Sequence, residues 1–246
     1  MCLCKTIISI ILIFVVETNI IAQNDSVSTL KKPYHETFLK KTILPTSLIL
    51  TGIALNKSAF EKEFAKNVRN SVGNDFSFAI DDYIQYIPMV EMYGADILGV
   101  QAKNHWFDQT KYLAISQLTT ALIVQSLKFG LNKTRPNNGS HSFPSGHTSQ
   151  AFTGATVLFQ EFKETNPLLA YSGFAFSTTT GAYRIMNNAH WLSDVVTGAG
   201  IGILVVNLVY YIEPLKNFNP FKKDNTTSFI PYYYENEVGF YFTKSF

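Results

Sequence analysis

Ser142 to Gln150, "SFPSGHTSQ", sets a proline, a serine, a glycine and a histidine at the mouth of an apolar run with helical character. Inside a core helix these residues are poor choices, because Pro144 lacks a backbone N–H and Gly146 is a weak helix former. At a helix entrance each has a use. Pro144 punctuates the approach, Ser145 can cap, and the unpaired N–H groups of the first turn face outward with partial positive charge. Gly146 lets an anion come close to that backbone, and His147 stands beside it. The stretch therefore predicts both a helix start and an anion site.

Working outward, four helices are predicted over 111–131, 145–163, 168–184 and 190–212. Short connections make successive helices run antiparallel, so alternate ends share one rim of the bundle. The unusual polar residues fall at those ends. Lys128 and Arg135 close the first helix, and Ser145, Gly146 and His147 open the second. Arg184 closes the third, while His190 and Asp194 open the fourth. Taken singly, each has a plain explanation, such as a snorkelling cation, a cap or a helix-surface pair. Three cations, two histidines and a carboxylate at one rim do not reduce to such explanations.

Three fixed cations beside a helix N-terminus suit a tetrahedral dianion, and arginine offers paired donors to two phosphate oxygens. Phosphoryl transfer also needs a nucleophile and a proton for the leaving oxygen. His190, with Asp194 one helical turn away, has the pattern of a nucleophile oriented by a carboxylate. His147, beside the anion-binding turn, is placed as general acid. No cluster of carboxylates or further histidines points to a metal, so no cofactor is expected.

These residues carry a resemblance. Lys128-x6-Arg135-Pro136, Pro144-Ser145-Gly146-His147 and Arg184-x5-His190-x3-Asp194 resemble the three motifs of the type 2 phosphatidic acid phosphatase (PAP2) superfamily. That superfamily shares its fold with bacterial acid phosphatases and vanadium haloperoxidases. The resemblance implies an all-α fold, a core of four antiparallel helices with additional N-terminal helices. It also implies that Lys128, Arg135, Ser145, Gly146 and Arg184 hold phosphate, that His190 attacks it with Asp194 in support, and that His147 protonates the leaving group. Tyr183 departs from the pattern, standing where the family has a serine.

Composition bounds the setting. Charged residues make up 15% of the 246-residue chain, against about 25% in average soluble proteins. A net charge of +2 and the lack of a basic stripe argue against a nucleic-acid partner. Residues 1–22, with an apolar run from Ile7 to Val16, read as a secretory signal that holds both cysteines, Cys2 and Cys4. Residues 23–76 read as a linker and accessory helices, with 57–70 a solvated or interfacial helix. The phosphatase core is expected over 77–213, its early part 77–101 made a poor span by Asp81, Asp82, Glu91 and Asp96. The 18 uncharged residues Val195–Ile212 form a candidate transmembrane helix. The tail 214–246 suggests one or two strands. Together these lead to metal-independent hydrolysis of phosphate monoesters or pyrophosphates through a phosphohistidine. The expected substrate is a phosphorylated lipid or small phosphomonoester, at a membrane-associated site facing the periplasm of a bacterial envelope. The alternatives are a soluble periplasmic acid phosphatase of broad specificity and a vanadium-dependent haloperoxidase, with oligomeric state left open.

Overall fold

The computed structural model describes residues 38–212, 214–215, 218, 227–234 and 237–244. The signal segment, the two cysteines and most of the linker lie outside the described residues. Eight helices are described: α1 (Phe38–Leu55), α2 (Ala59–Val72), α3 (Asp81–Ile84), α4 (Ile87–Ile97), α5 (Trp106–Leu131), α6 (Gly146–Phe162), α7 (Pro167–Met186) and α8 (Leu192–Tyr211). The all-α class holds, with one addition. Strands β1 (Thr227–Tyr234) and β2 (Glu237–Lys244) pair antiparallel, with Thr227 opposite Lys244 and Tyr234 opposite Glu237.

Local chemistry sets the helix ends. Ser58 accepts from Glu61 N to start α2, and Asn166 accepts from Leu169 N before Pro167 opens α7. Asn132 closes α5 in the left-handed region at φ 40°, a conformation that asparagine tolerates better than most residues.

Contacts along the helices fix their directions. Leu113 of α5 shares a cluster with Leu158 and Phe162 near the end of α6, Thr120 bonds Thr153 in its middle, and Val124 and Lys128 lie beside Gly146 at its start, so α5 and α6 are antiparallel. Gly181 of α7 faces Thr148 and Gly173 faces Ala155 and Leu158, which makes α7 antiparallel to α6. Gly198 of α8 meets Ser145 and Ser149, and Gly202 meets Ser149 and Thr153, so α8 runs parallel to α6. The four core helices therefore bring the end of α5, the start of α6, the end of α7 and the start of α8 to one rim, as the sequence predicts.

Helix α6 lies at the centre and buries most of its length, including Ala151, Ala155, Val157, Leu158 and Phe162. Leu158 and Phe162 join Met92, Leu113, Ala170 and Val206 in one apolar cluster. A second cluster packs Tyr112 and Val124 of α5 against Ile201, Val205 and Val209 of α8. Helix α1 lies antiparallel along α8, where Gly200 fits against Pro45 and Ile49 and Gly52 against Ser193 and Thr197. Small residues let these backbones approach closely.

Candidate active site

The site grows from the entrance to α6. Ser145 is extended and fully buried, and its Oγ caps the helix by accepting from Thr148 N at 3.4 Å while lying 2.9 Å from Thr148 Oγ1. Its own N–H donates to the backbone carbonyl of Asp194 at 3.0 Å, tying the start of α6 to the start of α8. A Cβ added to Gly146 would find Lys128 Cε at 3.8 Å and Val124 Cγ1 at 3.9 Å as its nearest neighbours. The space beside this glycine therefore opens toward the lysine that closes α5.

The cations converge as the motifs predict. Lys128 donates one hydrogen bond to the His141 carbonyl at 2.7 Å, which leaves two of its three ammonium protons for other partners. Arg135, in the loop after α5, is held by Nε donating to the Ser140 carbonyl at 3.0 Å. Arg184 donates from Nη1 to Asp81 Oδ2 at 2.7 Å, and its Nε is buried without a partner. A buried guanidinium N–H left unsatisfied is costly, and such exceptions call for an explanation.

Lys128, Arg184 and Asp194 all lie close enough to His190 to act on its charge. His190 is 1% exposed, and Asp194 Oδ2 lies 3.4 Å from its Nδ1. With Nδ1–H turned to the carboxylate, Nε2 carries the free lone pair. Burial holds the His190 pKa down at about 4 against the usual 6.5, with the Lys128 and Arg184 charges pushing the same way and Asp194 opposing them. The ring is thus held in its neutral form across the ordinary pH range.

One expectation needs correction. His190 and Asp194 do not share a helix face, because α8 begins only at Leu192 and His190 lies in the turn before it. Asp194 is the third residue of α8, and its Oδ2 accepts from Trp191 N at 2.9 Å as a capping carboxylate. The same cap delivers the carboxylate to His190. Asp194 Oδ2 also accepts a short hydrogen bond from Ser142 Oγ, and Oδ1 accepts from Lys133 Nζ at 3.0 Å.

His147 Nε2 lies 2.8 Å from Asp82 Oδ1. The short helix α3 thus sends one carboxylate to each of two site residues, Asp81 to Arg184 and Asp82 to His147. Asn187 Nδ2 holds the other oxygen of Asp81 at 2.9 Å. Neither aspartate is among the residues the motifs select. Tyr183 rests near Phe78, ring centroids 6.0 Å apart. His141, which fits no motif, contributes its backbone carbonyl to Lys128. Among the described residues no group of three His, Cys, Asp or Glu side chains is placed to hold a metal ion.

A helical bundle with this rim defines a class, and the comparisons agree with it. Residues 109–218 match the family model of the PAP2 superfamily, and the three motifs from Lys128 to Asp194 all fall within that stretch. It is 30% identical to a lipid A 1-phosphatase of Porphyromonas gingivalis over 184 residues, 74% of this chain and 41% of that protein. It is 32% identical to the bacitracin transport permease protein BcrC of Bacillus licheniformis over 88 residues, 36% of this chain and 41% of that protein. The chain thus spans well under half the length of either curated relative. Among solved structures, the fold is that of a transmembrane PAP2-type phosphatidylglycerolphosphate phosphatase from Bacillus subtilis. There the TM-score is 0.52 at 17% identity, covering 73% of this chain and 99% of that one.

Proposed function

We propose that this chain is a metal-independent phosphatase that hydrolyses phosphate monoesters or pyrophosphates of lipids through a phosphohistidine at His190. The observation that carries the reading is the buried, unpartnered Arg184 Nε at a rim where Lys128, Arg135 and the entrance of α6 also present free or partly free donors. Such a donor set matches the equatorial oxygens of a phosphoryl group in transfer. His190 Nε2 attacks phosphorus in line, and the P–O bond to the leaving group breaks. His147 gives its proton to the departing oxygen, then accepts one from the water that attacks the phosphohistidine and releases phosphate. Arg184, Lys128, Arg135, Ser145 and Gly146 hold the phosphate throughout, and Asp194 keeps the His190 tautomer.

A lipid substrate is supported by the relatives' names and by the surface of α1. That helix buries only Pro45 and Gly52, while Leu39, Ile43, Leu44, Leu50 and Ile53 stand exposed. Apolar surface of that extent on an 18-residue helix suits a bilayer. The envelope setting, with the site on the periplasmic side, belongs to the same proposal. The decisive experiment is to quench the enzyme during turnover of a 32P-labelled lipid phosphate and look for acid-labile label on the protein. Label that appears in the wild type and is absent from His190→Ala is expected. Equal label in that variant removes His190 as nucleophile.

A further inference from the structure

Behind Asp194 lies a buried chain of charges that phosphate contact does not require. Lys133 Nζ donates to Asp194 Oδ1 at 3.0 Å, to Ser193 Oγ at 2.8 Å and to the Glu61 carboxylate at 3.1 and 3.2 Å. Three partners use all three ammonium protons, so this lysine has none left for a phosphate oxygen. Lys133 is 6% exposed and Glu61 1%. Glu61 also accepts from Ser193 N at 3.2 Å, takes a short hydrogen bond from Ser193 Oγ, and accepts from Lys57 N at 2.8 Å. The Lys133 ammonium further sits 5.7 Å from the ring centre of Phe143 and 5.5 Å from that of Trp191, residues flanking the Pro-Ser-Gly-His turn and His190.

This arrangement differs from Lys128, which lies five residues earlier in the same segment and keeps two protons free. Helix α2, expected to be solvated or interfacial, is not solvated all round, because Glu61 on its first turn is among the most buried side chains described. Two carboxylates with a single ammonium between them are stable in a buried place only while the lysine stays put. The geometry therefore fixes Asp194 from the side opposite His190.

We propose that Lys133, pinned by Glu61, is a positioning residue for the nucleophile, setting the Asp194 carboxylate so that His190 presents Nε2 to phosphorus. The inference rests on the reading of His190 as nucleophile. Lys133 touches neither phosphate nor leaving group, so its loss lowers the rate of phosphohistidine formation without weakening phosphate binding. A misplacement of about 1 Å costs about 10²-fold in rate.

The test compares Lys133→Met, Glu61→Gln and the double variant Glu61→Gln/Lys133→Met in the full chain with nitrophenyl phosphate, alongside vanadate affinity and thermal stability. Lys133→Met strands two buried carboxylates and can fail to fold. The double variant keeps the wild-type net charge of the cluster while removing the ammonium that holds Asp194. The expected result is a double variant that recovers stability and vanadate affinity, keeps KM, and loses about 10²-fold in kcat. Glu61→Gln, which retains the ammonium and loosens its tether, is expected to lower kcat with KM unchanged. Wild-type kcat in the double variant reduces Lys133 to a counter-charge for Glu61 and overturns the proposal. A raised KM with kcat intact makes it a phosphate ligand and does the same. If the double variant does not fold, wild-type kcat in Glu61→Gln overturns the pinning. Turnover that survives in His190→Ala defeats the nucleophile assignment instead, so the two failures are distinguishable.

Discussion

His147 Nε2 and Asp82 Oδ1 lie 2.8 Å apart at the open side of the rim, their side chains 32% and 51% exposed. Burial and the Arg184 charge hold the His147 pKa below its usual value, against which the Asp82 carboxylate favours the proton, but solvent screens such a pair. Exposed ion pairs contribute at most a few-fold, whereas a general acid contributes about 10²–10⁴ where the leaving oxygen needs a proton. His147→Ala is therefore expected to lose about 10²-fold or more on an alkyl or lipid phosphate and far less on nitrophenyl phosphate, whose leaving group departs almost unaided. Asp82→Asn should show the same substrate bias, limited to about fivefold. Equal losses on both substrates in His147→Ala, with chemistry rate-limiting, would move the proton donor elsewhere.

The burial of His190 sets a second expectation. Because burial disfavours the imidazolium, His190 should remain neutral until the pH falls to about 4. In an NMR titration of ring-labelled histidines, the resonance missing from His190→Ala should keep its neutral shift through pH 5. Titration near 6.5 would contradict the burial argument. The sign for stability follows. The folded pKa lies below the unfolded one, so the unfolded chain binds more protons between about pH 6.5 and pH 4. This residue therefore takes stability away as the pH falls through that window, and none of that loss is present well above it.

Local chemistry explains why so much of the rim was legible. Pro144, Ser145 and Gly146 announce a helix start by themselves, and the short links from Phe162 to Pro167 and from Met186 to Leu192 dictate which ends meet. Long-range partners carry no such mark. Asp81 meets Arg184 across 103 positions and Glu61 meets Lys133 across 72. Glu61 sits among alternating charges on α2, and nothing local says which face of that helix is covered. The four-residue interval from His190 to Asp194 fits a helical face and an approach to a capping carboxylate equally well, so spacing alone does not reveal that α8 starts at Leu192. The exposed apolar face of α1 was hidden for a related reason. Its residues are apolar nearly all round, so periodicity does not separate the side against α8 from the side turned outward.

That outward face gives a third prediction. Ile43 and Leu50 are 66% and 61% exposed, and an aspartate at the centre of a spanning helix costs about 2.5–3.5 kcal/mol. The wild-type chain should stay with membranes through an alkaline carbonate wash. The pair Ile43→Asp and Leu50→Asp should release it while nitrophenyl phosphatase activity in detergent persists. A wild-type chain that washes off freely would leave α1 as something other than a membrane helix.

Two glycines separate packing from chemistry at the α6 entrance. A Cβ on Gly198 would fall 2.7 Å from the Ser145 carbonyl and 2.9 Å from Ser149 Oγ. The carbonyl belongs to the backbone and cannot swing aside, so Gly198→Ala must push α8 away from α6, at about 1–3 kcal/mol. Its melting temperature should fall. Gly146 is different, because its added Cβ meets nothing nearer than 3.8 Å. Gly146→Ala should fold as well as the wild type, or better by about 0.4–1 kcal/mol through a less flexible unfolded chain. The new methyl would nevertheless stand between the first-turn backbone and Lys128, where an anion reaching both would lie. Hydrogen bonds to a charged group are worth about 1.5–3 kcal/mol, so vanadate affinity should drop by about 10- to 100-fold. Calorimetry on both variants checks this directly. A Gly146→Ala chain that melts normally and binds vanadate like the wild type would remove the α6 entrance from the phosphate site.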